Sequence, residues 1–211
     1  MLFRSACVAG TTYYKDAAPV APYTFYADAT SIGTGLTGKM RDVTHWPVEL
    51  TADELAQDFA MSLTPDHLWE PALPIPQSAP MYSPVGAWGF DDGLGFKDIS
   101  GNGNDGTNIG STLLKNGEFG FNGAQTINVG NAAILRTVNA FSVSFWLYKK
   151  NSVLSDIYSN SNLGSFNART FNCGVDANDK PFIRTYKAVT ADLLTSNTGI
   201  STSKWGHIAF T

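Results

Sequence analysis

The stretch that decides the fold is "AFSVSFWLYKK", residues 140–150. Phe141, Val143, Phe145 and Leu147 alternate with Ser142, Ser144, Trp146 and Tyr148, the two-residue period of a β-strand. Neither set carries a charge. One face is wholly apolar and the other combines small serines with large aromatics, which predicts a central sandwich strand whose second face is aromatic rather than solvated.

Working outward, the same pattern gives further strands. "VGAWGFDD" (85–92) and "GEFGFNGAQTINVG" (117–130) flank "DISGNGNDGT" (98–107), where Asn-Gly and Asp-Gly steps supply the φ > 0 residues of tight turns. "NCGVDANDKPFIRTY" (172–186) predicts a hairpin turning at Asp176–Pro181, and "KWGHIAFT" (204–211) a strand with bulky residues on both faces. Towards the other end, "TTYYK" (11–15), "YTFYA" (23–27) and "KMRDVTHW" (39–46) predict short strands, with a glycine-rich turn "GTGLTG" at 33–38.

One helix signal stands out in "LTADELAQDFAMSL" (50–63). Thr51 is a good N-cap, Glu54 completes a capping box, and Leu50 with Leu55 occupies the positions of a hydrophobic staple. Leu55 and Phe59 share a face, so a helix of about three turns should pack against a sheet. From Pro65 to Pro84, "PDHLWEPALPIPQSAPMYSP" holds six of the ten prolines, which predicts an extended linker.

Composition supports the all-β expectation. Charged residues are only 15% of the 211, while glycine and aromatics are plentiful. The net charge of −4 and the lack of a Lys/Arg cluster exclude nucleic acid as a natural partner and favour a neutral or polar ligand. No apolar run is long enough for membrane insertion. "MLFRSACVAG" is too short and too poor in apolar residues for a signal peptide, and Arg4 disfavours a lipid anchor. Cys7 and Cys173 give no zinc or disulfide spacing, so free, partly buried thiols are the expectation, with a single bridge as the alternative.

Six ordered motifs then carry a resemblance: "WGF" (88–90), "DDGLG" (91–95), "DISGNGNDG" (98–106), "NGA" (122–124), "FSVSFW" (141–146) and "WGHIAFT" (205–211). Together they resemble the first part of a LamG-like, concanavalin A-like lectin/glucanase jelly-roll domain. "YYKDAAPVA" followed by "GKMRDVTHWPVELTADEL" resembles that family's closing strands and short acidic helix, although Thr44, His45, Pro47 and Val48 depart from its commoner residues. The organisation this implies is a C-terminal part (1–62), a Pro-rich linker (63–84) and an N-terminal part (85–211), as in a fragment of a tandem array. In circularly permuted order, 83–211 and 1–62 would make one jelly roll, and the N-terminal strands should then pair with the C-terminal half. "SLTPDHLWEP" (62–71) is also similar to segments that follow such domains in tailed-phage structural proteins, which points to an extracellular or virion setting.

Catalytic signatures are missing from the sequence. There is no Gly-x-Ser-x-Gly elbow, no phosphate loop, and no helix with metal-spaced histidines among His45, His67 and His207. His207, in the Trp-x-His strand, is expected to pack rather than catalyse. Jelly-roll glucanases need closely spaced carboxylates, and "FSVSFWLYK" has none, so the expectation is a non-enzyme. Asp98, Ser100 and Asn102 alternate like half a calcium loop, but Ile109 stands where the closing Glu of an EF-hand belongs. The resemblance implies that calcium, if bound, would use scattered oxygens such as those of Asp98, Asn102, Asn104 and Asp105; the competing reading is that turns need these residues. For a sugar, Trp146, Tyr148, Tyr158 and Tyr186 are the candidate stacking aromatics, beside the Asn-rich "YSNSNLGSFN" (158–167), with core packing as the competing role for each. The resulting expectation is a non-catalytic module that binds a glycan or surface polymer. The alternatives are a structural spacer in a fibre, or an accessory domain of an enzyme encoded outside this sequence.

Overall fold

The computed structural model describes residues 7–8, 11–14, 29–62, 83–89, 95–110, 112–113, 118–130, 132, 135, 140–161, 171–186 and 191–211. They form two packed β-sheets and one short helix, an all-β sandwich. The first sheet runs in the order β1 (Cys7–Val8), β2 (Thr11–Tyr14), β15 (Trp205–Phe210), β10 (Ser142–Lys149), β4 (Thr37–Trp46), β8 (Phe119–Asn122) and β7 (Thr112–Leu113), with β5 (Gly86–Trp88) also paired to β4. The second runs β14 (Ala191–Thr195), β13 (Pro181–Tyr186), β12 (Phe171–Val175), β11 (Ser155–Ser161), β3 (Ala29–Thr34), β9 (Thr126–Asn128) and β6 (Thr107–Ile109). Pairing is antiparallel except where β2 lies parallel to β15.

Strands from the two ends of the sequence interleave in both sheets. β4 pairs with β10 and β3 with β11, while β15 sits between β10 and β2, so "KWGHIAFT" is bonded on both edges. The segment predicted as a strand at 23–27 and the proline-rich stretch up to residue 82 lie outside the described residues.

β10 behaves as its alternation demands. Val143, Phe145 and Leu147 enter the core with Met40, Val43, Ile208 and Phe210, and meet Ile32, Ile157, Tyr158, Cys173 and Ile183 from the opposing sheet. Cys173 is a free, buried thiol, and burial beside Asp156 pushes its pKa well above the usual thiol range. A polar pair crosses the core, where His45 Nδ1 and the Tyr158 hydroxyl lie 2.9 Å apart among Phe141 and Phe171. Burial lowers the His45 pKa to about 3 and raises that of Tyr158, so both groups stay neutral.

Helix α1 (Ala52–Ser62) is capped as the sequence predicts. Glu54 N donates to Thr51 Oγ1 (3.3 Å) and Thr51 N to Glu54 Oε2 (2.7 Å), the two reciprocal bonds of a capping box. Leu50 and Leu55 are buried together with Trp46 and Ala209. The helix therefore lies on the outer face of the first sheet, which is why that face of β10 needs no charge.

Candidate functional site

Across the outer face of the first sheet, strand register lines side chains into rows. Ala209 and Thr44 flank Ser144; His207 and Arg41 flank Trp146; Trp205 and Lys39 flank Tyr148. Helix α1 covers the first two rows. Asp58 accepts a hydrogen bond from Ser144 Oγ (2.7 Å) and stands 3.4 Å from His207 Nε2, while Phe59 stacks on Trp146 at 5.4 Å and tilts over His207 at 5.3 Å. His207 is buried among Phe59, Trp146 and Asp58.

The third row emerges from beneath the helix. Trp205 and Tyr148 are both half-buried and meet edge to face at 5.7 Å. Lys39 lies over Tyr148 at 5.7 Å and is held by Glu118 at 2.7 Å. The Arg41 guanidinium is bracketed by two indoles, 4.9 Å from Trp146 and 5.2 Å from Trp205. A bulge in β4 produces this placement. Asp42 adopts φ 52 and the register with β10 shifts between Ser144 and Trp146, which keeps Met40 and Val43 in the core while Arg41 turns outward. Close strand approach supports the row, since a Cβ on Gly38 would collide with the Tyr148 carbonyl oxygen.

The four aromatics proposed as stacking groups therefore occupy different environments. Tyr148 is on the partly exposed row. Trp146 supports that row but is itself covered by Phe59 and Arg41. Tyr158 lies in the core, fully buried and bonded to His45, so the structure gives it the packing role. Tyr186 ends β13 opposite Ala191, and its side chain lies outside the described residues. Sequence reasoning missed Trp205, Arg41 and Lys39. The signal for them was present: Lys39 and Arg41 are two apart on one strand, flanking the core residue Met40.

The Asp98 turn is built chiefly from hydrogen bonds to its own backbone. Asp98 accepts from the N–H groups of Ala87 (3.0 Å), Ser100 (2.9 Å) and Asn104 (2.9 Å), and Asp105 accepts from Asp98 N (3.0 Å) and Lys97 Nζ (2.6 Å). Asn102 and Asn104 donate through Nδ2 to Pro84 O (3.1 Å) and Val85 O (2.7 Å). Gly101 and Gly103 supply positive φ between them. These bonds form a turn that pins β5, in which each carboxylate oxygen of Asp98 and Asp105 accepts an N–H. Among the described residues, no three His, Cys, Asp or Glu side chains gather where a metal could sit. No helix among them is long and apolar enough to cross a membrane.

Comparison with protein-family models, curated proteins and solved structures returned no match to this chain.

Proposed function

We propose that this chain is a non-catalytic binding module of the LamG-like jelly-roll type, completed in permuted order, that recognises a glycan or similar surface polymer in an extracellular or virion setting. The observation that carries the reading is the half-buried Tyr148–Trp205 pair, flanked by Lys39 and Arg41, on the sheet face that carries α1. Sugar rings present apolar faces edged by hydroxyls, and aromatics beside fixed polar groups are the chemistry that takes them. The interleaving of β3 and β4 with β10 and β11 supports the permuted jelly roll, since it places the closing strands of the resembled family beside its opening ones. The reading uses no calcium; the Asp98 turn holds its own geometry through hydrogen bonds.

A glycan array probed with the full chain, with calcium and with chelator, tests this. Selective binding that survives chelator and disappears in Trp205→Ala and Tyr148→Ala variants, both still cooperatively folded, is the expected result. Binding to nothing on the array would favour the structural-spacer alternative. Binding that both variants retain would place the site elsewhere.

A further inference from the structure

We infer that the polymer taken by this face carries carboxylates, and that Arg41 selects for them; the inference rests on the binding reading above and narrows its ligand class. Arg41 is the unsatisfied member of the row. Its side chain is 29% exposed, and its Nε is buried without a hydrogen-bond partner. The one carboxylate within ion-pair range among the described residues is Asp42, 3.7 Å from Nε and too far to accept a hydrogen bond. Lys39, by contrast, is already matched by Glu118 at 2.7 Å.

A guanidinium set between two indoles is oriented before any ligand arrives. Its planar fork suits a carboxylate, which can accept two parallel N–H bonds while the rest of a sugar lies against Trp205 and Tyr148. The bulge at Asp42 is what fixes this orientation, so the outward turn of Arg41 is a property of the strand and not of a free side chain. The chain's net charge of −4 argues against long-range attraction of polyanions, and Asp42, Glu118 and Asp58 border the same face. Recognition is therefore short-ranged and rests on one fork. Affinity should fall only weakly with salt, unlike binding through a basic patch.

The test is titration calorimetry of the full chain with uronate oligosaccharides (galacturonate, glucuronate and mannuronate series) and with their methyl esters, which keep the ring and remove the charge. Binding of at least one acid series about tenfold or more tighter than its ester is expected, with a similar loss in Arg41→Lys, which keeps the charge but not the fork. Arg41→Ala should lose at least as much, and thermal melts of both variants confirm folding. Equal affinity for acid and ester, or acid binding unchanged in Arg41→Lys, overturns the inference and leaves the glycan reading standing. Neutral glycans bound on the array while every uronate fails has the same consequence. Failure of every glycan, neutral and acidic, overturns both.

Discussion

Two aromatic clusters lie back to back across the first sheet, and they handle polarity in opposite ways. On the inner side, Phe141, Tyr158 and Phe171 enclose His45, whose Nδ1 is matched by the Tyr158 hydroxyl, and Trp88 packs behind Tyr158. On the outer side, Trp146 and Trp205, backed by Phe59 and Tyr148, bracket Arg41, which no described carboxylate neutralises at hydrogen-bond distance. The inner cluster is neutral and closed. The outer one is charged and open at its edge. Similar aromatic content is fully packed in one place and partly exposed in the other, so aromatic residues alone do not distinguish the two; the unmatched polar group among them does.

Acid should produce the largest break in this contrast. The folded pKa of His45, about 3, lies below its ordinary value of 6.5, so unfolding takes up a proton. The stability it contributes is present above about pH 6.5 and lost as pH falls towards 3, amounting to roughly 3–6 kcal/mol at most. Urea melts at pH 7 and pH 4 read this directly, and coincident midpoints would refute the closed inner cluster. On the outer face, Leu55→Ala removes the buried anchor of α1 and should cost about 2–4 kcal/mol in the same melts at pH 7.

A matched pair of hydroxyl deletions sharpens the comparison. Tyr158→Phe takes away the partner of His45 Nδ1 inside the core and should cost about 1–3 kcal/mol. Tyr148→Phe, on the partly exposed row, should stay within about 0.5 kcal/mol of the parent. Equal costs for the two would mean that the clusters are less distinct than their geometry suggests. The helix cap is a modest contributor, where Thr51→Ala should cost about 1 kcal/mol and Thr51→Ser almost nothing.

Much of the fold was legible because its signals are local. The alternation in 140–150 fixes which face of β10 enters the core, and the Thr51–Glu54 box with its Leu50–Leu55 staple fixes where α1 starts. The hairpin at Asp176–Pro181 forms where its turn residues stand, with Asp176 Oδ1 accepting from the N–H groups of Asn178 and Lys180. The candidate site was only half legible. Tyr148 was a candidate on its own strand, but Arg41 and Trp205 join it through register, which depends on a bulge at Asp42 that no local pattern announces. Tyr158 illustrates the converse. Its own strand, "SDIYSNS", is mostly polar, and a bulge between Asp156 and Tyr158 lets Ile157 and Tyr158 both reach the core.

The interleaved order of the strands has a consequence for how the chain becomes folded. The Ser31–Ser159 and His45–Tyr158 bonds join residues 128 and 113 positions apart, and β2 joins the rest of its sheet through β15. The early strands complete neither sheet alone: β3 waits for β9 and β11, β4 for β5, β8 and β10, and β2 for β15. Such long-range closure is slow, on the order of milliseconds to seconds once the whole chain is available. During synthesis, β3 and β4 each keep one unpaired edge until β11 and β10 emerge, and that interval is when this protein is most exposed to mispairing with other nascent copies.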